Sequence, residues 1–283
     1  MRKLTYALLL CCLSGLNGLA QATTAGVVEA VQWPAWVEHE GKAVPGAPGI
    51  SLRPGDTLRT GPGARLRLKL GEGSTVKLGE NAEFNIERSE QSQKGTYQAM
   101  LSVIKGAFRF TTGLATRHQP RDIAVSVGGN ATIGLRGTDF WGRGREDKDI
   151  VCLIEGNIEI TGNDNKLLKL DQPLQFFQST RTAPPQPIGK VPKEKLAEWS
   201  AETEMERGKE VRAGGGWRIV VGGFATAQAA REARERLRKA GYPAERGAGK
   251  TLVIGPLGEE AGAAQVAERL KGEFGLKELR VTK

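Results

Sequence analysis

Glycine and proline punctuate residues 26–177 at short intervals, and the segments between them alternate apolar and polar residues. A helix is not sustained across such breaks, whereas a strand needs only a few residues and repeats every second one. In ARLRLKL, residues 64–70, Ala64, Leu66, Leu68 and Leu70 fall on one side and Arg65, Arg67 and Lys69 on the other. That is the pattern of a half-buried strand. The same reasoning predicts strands over 27–31, 75–78, 82–86, 100–104, 107–110, 122–127, 139–142, 150–154 and 157–160. Gly71-Glu72-Gly73 and Glu155-Gly156 stand where hairpin loops need positive φ. The expected product is an all-β domain of roughly 150 residues, either a sandwich or a solenoid-like stack of hairpins.

The texture changes beyond that domain. RTAPPQPIGKVP, residues 181–192, holds four prolines in twelve residues and marks a boundary. Residues 193–211 are laced with charge, and Leu196, Trp199 and Met205 are the larger apolar anchors before Val211. This predicts a surface helix lying on the β domain through Leu196 and Trp199. Ala213-Gly214-Gly215-Gly216 predicts a flexible tether that lets the remaining residues reach a partner independently. From 217 onward the order is strand, helix, strand, strand, helix, strand. Ala229, Ala230, Ala233, Leu237 and Ala240 share one helix face, closed by Gly241; Ala263, Val266, Ala267, Leu270 and Phe274 share another, closed by Gly275. The expected fold is a small α+β domain of βαββαβ order, with two helices on one face of a four-stranded antiparallel sheet.

Arg2 and Lys3, an apolar run over 7–13 and Ala20-Gln21-Ala22 have the layout of a cleaved secretory signal. No later segment is long and apolar enough to span a bilayer. The organisation expected is therefore a signal over 1–22, the β domain over 23–178, a Pro-rich linker with charged helix and Gly tether over 179–216, and the second domain over 217–283. Cys11 and Cys12 leave with the signal, so Cys152, in an apolar run, is expected to be a buried structural thiol. Setting aside Arg2 and Lys3 leaves 39 basic against 32 acidic residues, a balance of +7 that favours anionic partners. Hydrolysis of glycan or peptide needs paired carboxylates, a metal cluster or an activated nucleophile. With two His (His39 and His118), one Cys beyond the signal and no metal-ligand spacing, the chain is expected to be no enzyme and to use no cofactor and no metal.

The run LRPGDTLRTGPGARLRLKLGEGSTVKLGENAEFNI (52–86), followed by GAFRFTTG, ATIGLRGTDFWGRG and VCLIEGNIEI, resembles the FecR-type, iron-dicitrate sensor domain of bacterial envelope proteins. Gly55, Gly61, Gly73, Gly137 and Gly156 read beside it as turn or close-approach positions, and Asp56 and Thr138 as partners of nearby backbone. Regulators of that family pair the domain with a cytoplasmic sigma-factor-binding segment and a membrane helix. Neither is recognisable in this sequence, so a binding or scaffolding module is expected, with another envelope protein as its partner.

WRIVVGGFATAQAAREARERLRKAGYPAE and TLVIGPLGEEAGAAQVAERLKGEFG resemble the SPOR domain, a peptidoglycan-binding module of envelope and cell-division proteins. The resemblance implies a periplasmic protein docking on glycan strands stripped of their peptide stems, with the open sheet face as platform. Alternation places Ile219, Val221, Leu252, Ile254, Leu279 and Val281 toward the helices. Arg218, Val220, Gly223, Thr251, Val253 and Arg280 are the glycan-binding candidates. The family usually presents Gln at Val220, Ser at Gly223 and Arg near Thr251. The alternative is a periplasmic signalling or sensor component, related to FecR regulators, whose SPOR domain binds protein. Nucleic acid is not expected, because the outward positions of the central strands, Val220, Thr251 and Val253, lack stacking aromatics.

Overall fold

The alternation in residues 64–70 becomes the strand Arg65–Leu70, with Leu66, Leu68 and Leu70 buried and the basic side chains on the other face. The computed structural model describes residues 24–283 except Arg117, Asn130, Arg136, Arg181, Ala183 and Pro184, so the expected export signal lies outside the described residues. Eighteen strands among them form one hydrogen-bonded sheet that folds back on itself as two layers. In one layer Gly26–Gln32 pairs with Arg65–Leu70, followed by Thr75–Leu78, the end of Tyr97–Thr111, Asp139–Gly144, Lys148–Glu155 and Gln175–Thr180. In the other, Lys42–Pro45 and Ala35–His39 lead through Thr57–Thr60 and Glu83–Gln91 to the start of Tyr97–Thr111. Arg121–Val127, Ala131–Leu135, Ile158–Gly162 and Leu167–Leu170 complete it. Leu66, Leu68, Phe108, Phe110 and Phe140 from the first layer meet Leu58, Phe84, Leu101, Val125 and Ile160 from the second in one core. Each such side chain contributes about 1.5–3 kcal/mol on burial. The architecture is a sandwich, the first of the two forms expected.

Two expectations about connections are corrected. Residues 100–104 and 107–110 belong to a single strand, Tyr97–Thr111, which passes from one layer into the other. It bends at Gly106, where φ is +90° and a Cβ would sit 2.5 Å from Ala82 Cα; only glycine lets the two backbones approach so closely. Gly71-Glu72-Gly73 does close a hairpin. Glu155-Gly156 does not: Lys148–Glu155 pairs with Asp139–Gly144 and Gln175–Thr180, whereas Ile158–Gly162 pairs within the opposite layer, so this turn is a crossing between layers.

The helix expected over 193–211 is shorter, α1 (Lys193–Ala201). Trp199 stacks on Trp141 at 4.9 Å between ring centroids and 12° between planes, and Leu196 packs on the same small cluster with Cys152. Burial pushes the Cys152 thiol up to about 12, which keeps it in the neutral thiol form. The Gly tether expected at 213–216 runs as a turn between Val211–Arg212 and Trp217–Gly222. Val211–Arg212 pairs with Ala30 and Val31, Val211 is fully buried, and the Gly215 backbone lies against the Leu257 carbonyl. A two-residue strand is too short for periodicity to reveal, and it anchors the chain just before the glycines.

The C-terminal region has the expected order. Trp217–Gly222 is flanked by Leu252–Leu257 and Glu278–Thr282, with the two-residue strand Glu245–Arg246 at the outer edge, all antiparallel. Helices α2 (Ala227–Lys239) and α3 (Glu260–Phe274) cover one side. Thr226 caps α2 by accepting the Ala229 N–H at 3.1 Å, and Ala230, Ala233 and Leu237 are buried. Gly275 ends α3 at φ +64°. Ile219, Val221, Leu252 and Ile254 are buried beneath the helices, as alternation predicts.

Candidate functional site

Strand register lines up the face opposite the helices. Val220 stands across from Val253 on one side and Arg280 on the other, and Val253 stands across from Glu245, so one row spans all four strands. The neighbouring rows pair Arg218 with Thr282 and Gly222 with Glu278. Val220 and Val253 are half-buried in the middle, whereas Arg218 and Arg280 are exposed. Among the described residues no carboxylate lies within ion-pair distance of either arginine. Glu245, by contrast, is tied to Arg238 at 2.5 Å. The face thus offers an aliphatic strip with two unengaged guanidinium groups along it, and such a strip can pack against the apolar faces of sugar rings while the arginines donate to hydroxyl or carboxylate oxygens.

Thr251 and Gly223 lie apart from that row. Thr251 precedes its strand and spends its hydroxyl on the Ala248 carbonyl at 2.7 Å. Gly223 follows its strand at φ +77°, with the Glu278 side chain beside it. Four of the six candidates, Arg218, Val220, Val253 and Arg280, therefore share two adjacent rows, and the other two belong to turns. Glu245 and Thr282 on the same face escape sequence reasoning: the first sits on a strand too short to alternate, and the second ends the chain's last strand.

The helix side is not free. The Trp36 indole N–H donates to the Lys239 carbonyl at 3.0 Å, which satisfies one of the orphan acceptors at the end of α2. The Ala35 N–H donates to Gly241 O at 3.4 Å, and the Arg269 guanidinium of α3 donates to Pro62 O at 3.0 Å and Trp33 O at 3.4 Å. The β domain holds the helices from behind and leaves the opposite face of the small sheet turned to solvent.

Residues 56–159 match the family model of the FecR protein, and residues 213–282 match that of the SPOR domain. The chain joins a FecR domain to a SPOR domain. The FecR match omits Gly26–Gln32 and Gln175–Thr180, which pair within the same sandwich. Inside it, Asp56 accepts the Arg53 N–H at 2.9 Å and lies 2.6 Å from His39 Nδ1, and Thr138 donates to Asn157 O at 2.8 Å, so both side chains serve the local structure. Gly55, Gly73, Gly137 and Gly156 all have positive φ, and Gly61 packs on Pro34. Two crystal structures of a protein assigned as an anti-sigma factor from Parabacteroides distasonis are similar over 80% of this chain and over 98% and 96% of theirs, at 12% identity and TM-scores of 0.42 and 0.43. No curated protein matches the sequence. No helix among the described residues is long and apolar enough to cross a membrane.

Proposed function

We propose that this is an exported, non-catalytic binding protein of the periplasm that docks on peptidoglycan glycan strands stripped of their peptide stems. The SPOR sheet face is the platform, and the FecR domain is a second binding module in the cell envelope. One observation supports the reading above the rest: α2 and α3 dock on the FecR domain, while the row Val253–Val220–Arg280, with Arg218 beside it, faces solvent. A helix-side contact with the wall would require the two domains to part; a sheet-side contact requires no rearrangement. Val220 replaces the family's usual glutamine, so the contact is more apolar than is usual for the family, with Arg218 and Arg280 supplying the polar groups. Cosedimentation of the chain with purified sacculi, before and after amidase removal of the stems, tests the reading. Retention should rise on stripping; absence from both pellets refutes it.

A further inference from the structure

Two cavities meet on the flank where the SPOR helices dock. One, of about 630 Å³, lies between the domains, with Trp36, Arg59 and Lys105 on the FecR bank and Arg238 and Lys239 on the SPOR bank. The other, of about 570 Å³, is walled by Arg65, Arg143 and Arg145 together with Glu80, Glu146 and Glu202. Asn81 and Lys105 line both, so the two adjoin as one cleft. Seven Arg and Lys side chains face it against four Glu, the fourth being Glu235.

The cations of this cleft are only partly engaged. Arg143 pairs with Glu202 at 3.1 Å, and Lys105, Arg59 and Arg238 pair with Glu83, Glu38 and Glu245, which lie outside the lining. Among the described residues no carboxylate stands within ion-pair distance of Arg65, Arg145 or Lys239. Arg65 Nε and Arg143 Nε are buried donors without a hydrogen-bond partner, and such donors are costly to leave unmet. Desolvation lowers the Arg143 pKa and raises that of Glu202, so the pair does not fully compensate its own burial.

We propose that this cleft binds an extended peptide segment carrying several carboxylates, contributed by a partner protein. The spare guanidinium and ammonium groups, spread over two adjoining cavities, suit spaced carboxylates. The interspersed glutamates discriminate further. A polyphosphate or nucleic acid carries an anion at every unit and would be repelled at each Glu, whereas a peptide presents backbone N–H groups there. Trp36 supplies an apolar wall. The proposal rests on the part of the function above that gives the FecR domain a second partner, and not on the wall contact.

The test is fluorescence anisotropy of the full chain, without cell wall, titrated against a labelled L-octapeptide of alternating Glu and Ala. The peptide should bind, and its Gln counterpart should not. Arg145→Gln/Lys239→Gln, both exposed and each on a different half of the cleft, should weaken binding about tenfold or more. Arg231→Gln/Arg246→Gln, equally exposed, with the same loss of charge and outside the cleft, should change it less than about twofold. No binding, equal loss in both double variants, or tighter binding of inorganic polyphosphate or of a free wall stem tetrapeptide would overturn the proposal. Sacculus retention is read separately, so either idea can fail alone.

Discussion

Gly241 meets two demands at one backbone position. It follows α2 at φ +85°, and a Cβ there would lie 2.8 Å from Trp36 Cε2 and 3.0 Å from Ala35 N. Gly241→Ala should therefore cost about 1–3 kcal/mol of stability, read by urea denaturation; a loss below about 0.5 kcal/mol would mean that the ring and strand yield freely. The sequence marks Gly241 as a helix stop because the apolar periodicity ends there. It does not reveal the close approach, because Trp36 is some two hundred residues away. The same limit applies at the candidate site. Alternation places Ile219 and Val221 inward and Arg218, Val220 and Arg280 outward, since a period of two leaves no other choice once one face is buried. For Thr251 it says nothing of the Ala248 carbonyl that takes up the hydroxyl, a local bond of the kind threonine makes beside turns.

At the scale of elements, length decides what is legible. Strands of four residues or more with a clear inner face, such as Thr75–Leu78 and Arg65–Leu70, stand out from the chain. Two-residue strands such as Val211–Arg212 and Glu245–Arg246 carry no period and are set by tertiary pairing alone. Gly106 reads as a break between two strands because glycine weakens a strand interior; here it is the bend of a continuous one. Helix α1 is short and holds by its aromatic anchor rather than by propensity. Trp199 is 9% exposed and stacked on Trp141, with the Phe176 ring edge-on at 6.4 Å. Trp199→Ala should lower stability by about 3 kcal/mol and release α1, so that trypsin cuts within 193–209 well before the remainder; an unchanged digestion pattern would show that the helix is held some other way.

In the whole molecule the two domains share a hydrophobic core and a run of hydrogen bonds from Trp36, Ala35 and Arg269. Composition suggests a free tether, and the hydrogen bonds from Trp36 and Ala35 to the end of α2 and from Arg269 of α3 to Trp33 and Pro62 give instead a docked orientation. That orientation was not legible because it depends on contacts between residues far apart in sequence. For the proposed wall contact this matters: α2 and α3 dock on the FecR domain, and the aliphatic strip with its two arginines stays open on the other side of the sheet. The most direct measurement is cosedimentation of a Val220→Asp/Val253→Asp variant with amidase-stripped sacculi, with circular dichroism confirming the fold. Two carboxylates in the middle of the strip would have to shed water to meet sugar, so retention should fall about tenfold or more relative to the parent chain; a folded variant that pellets as the parent does would contradict the account.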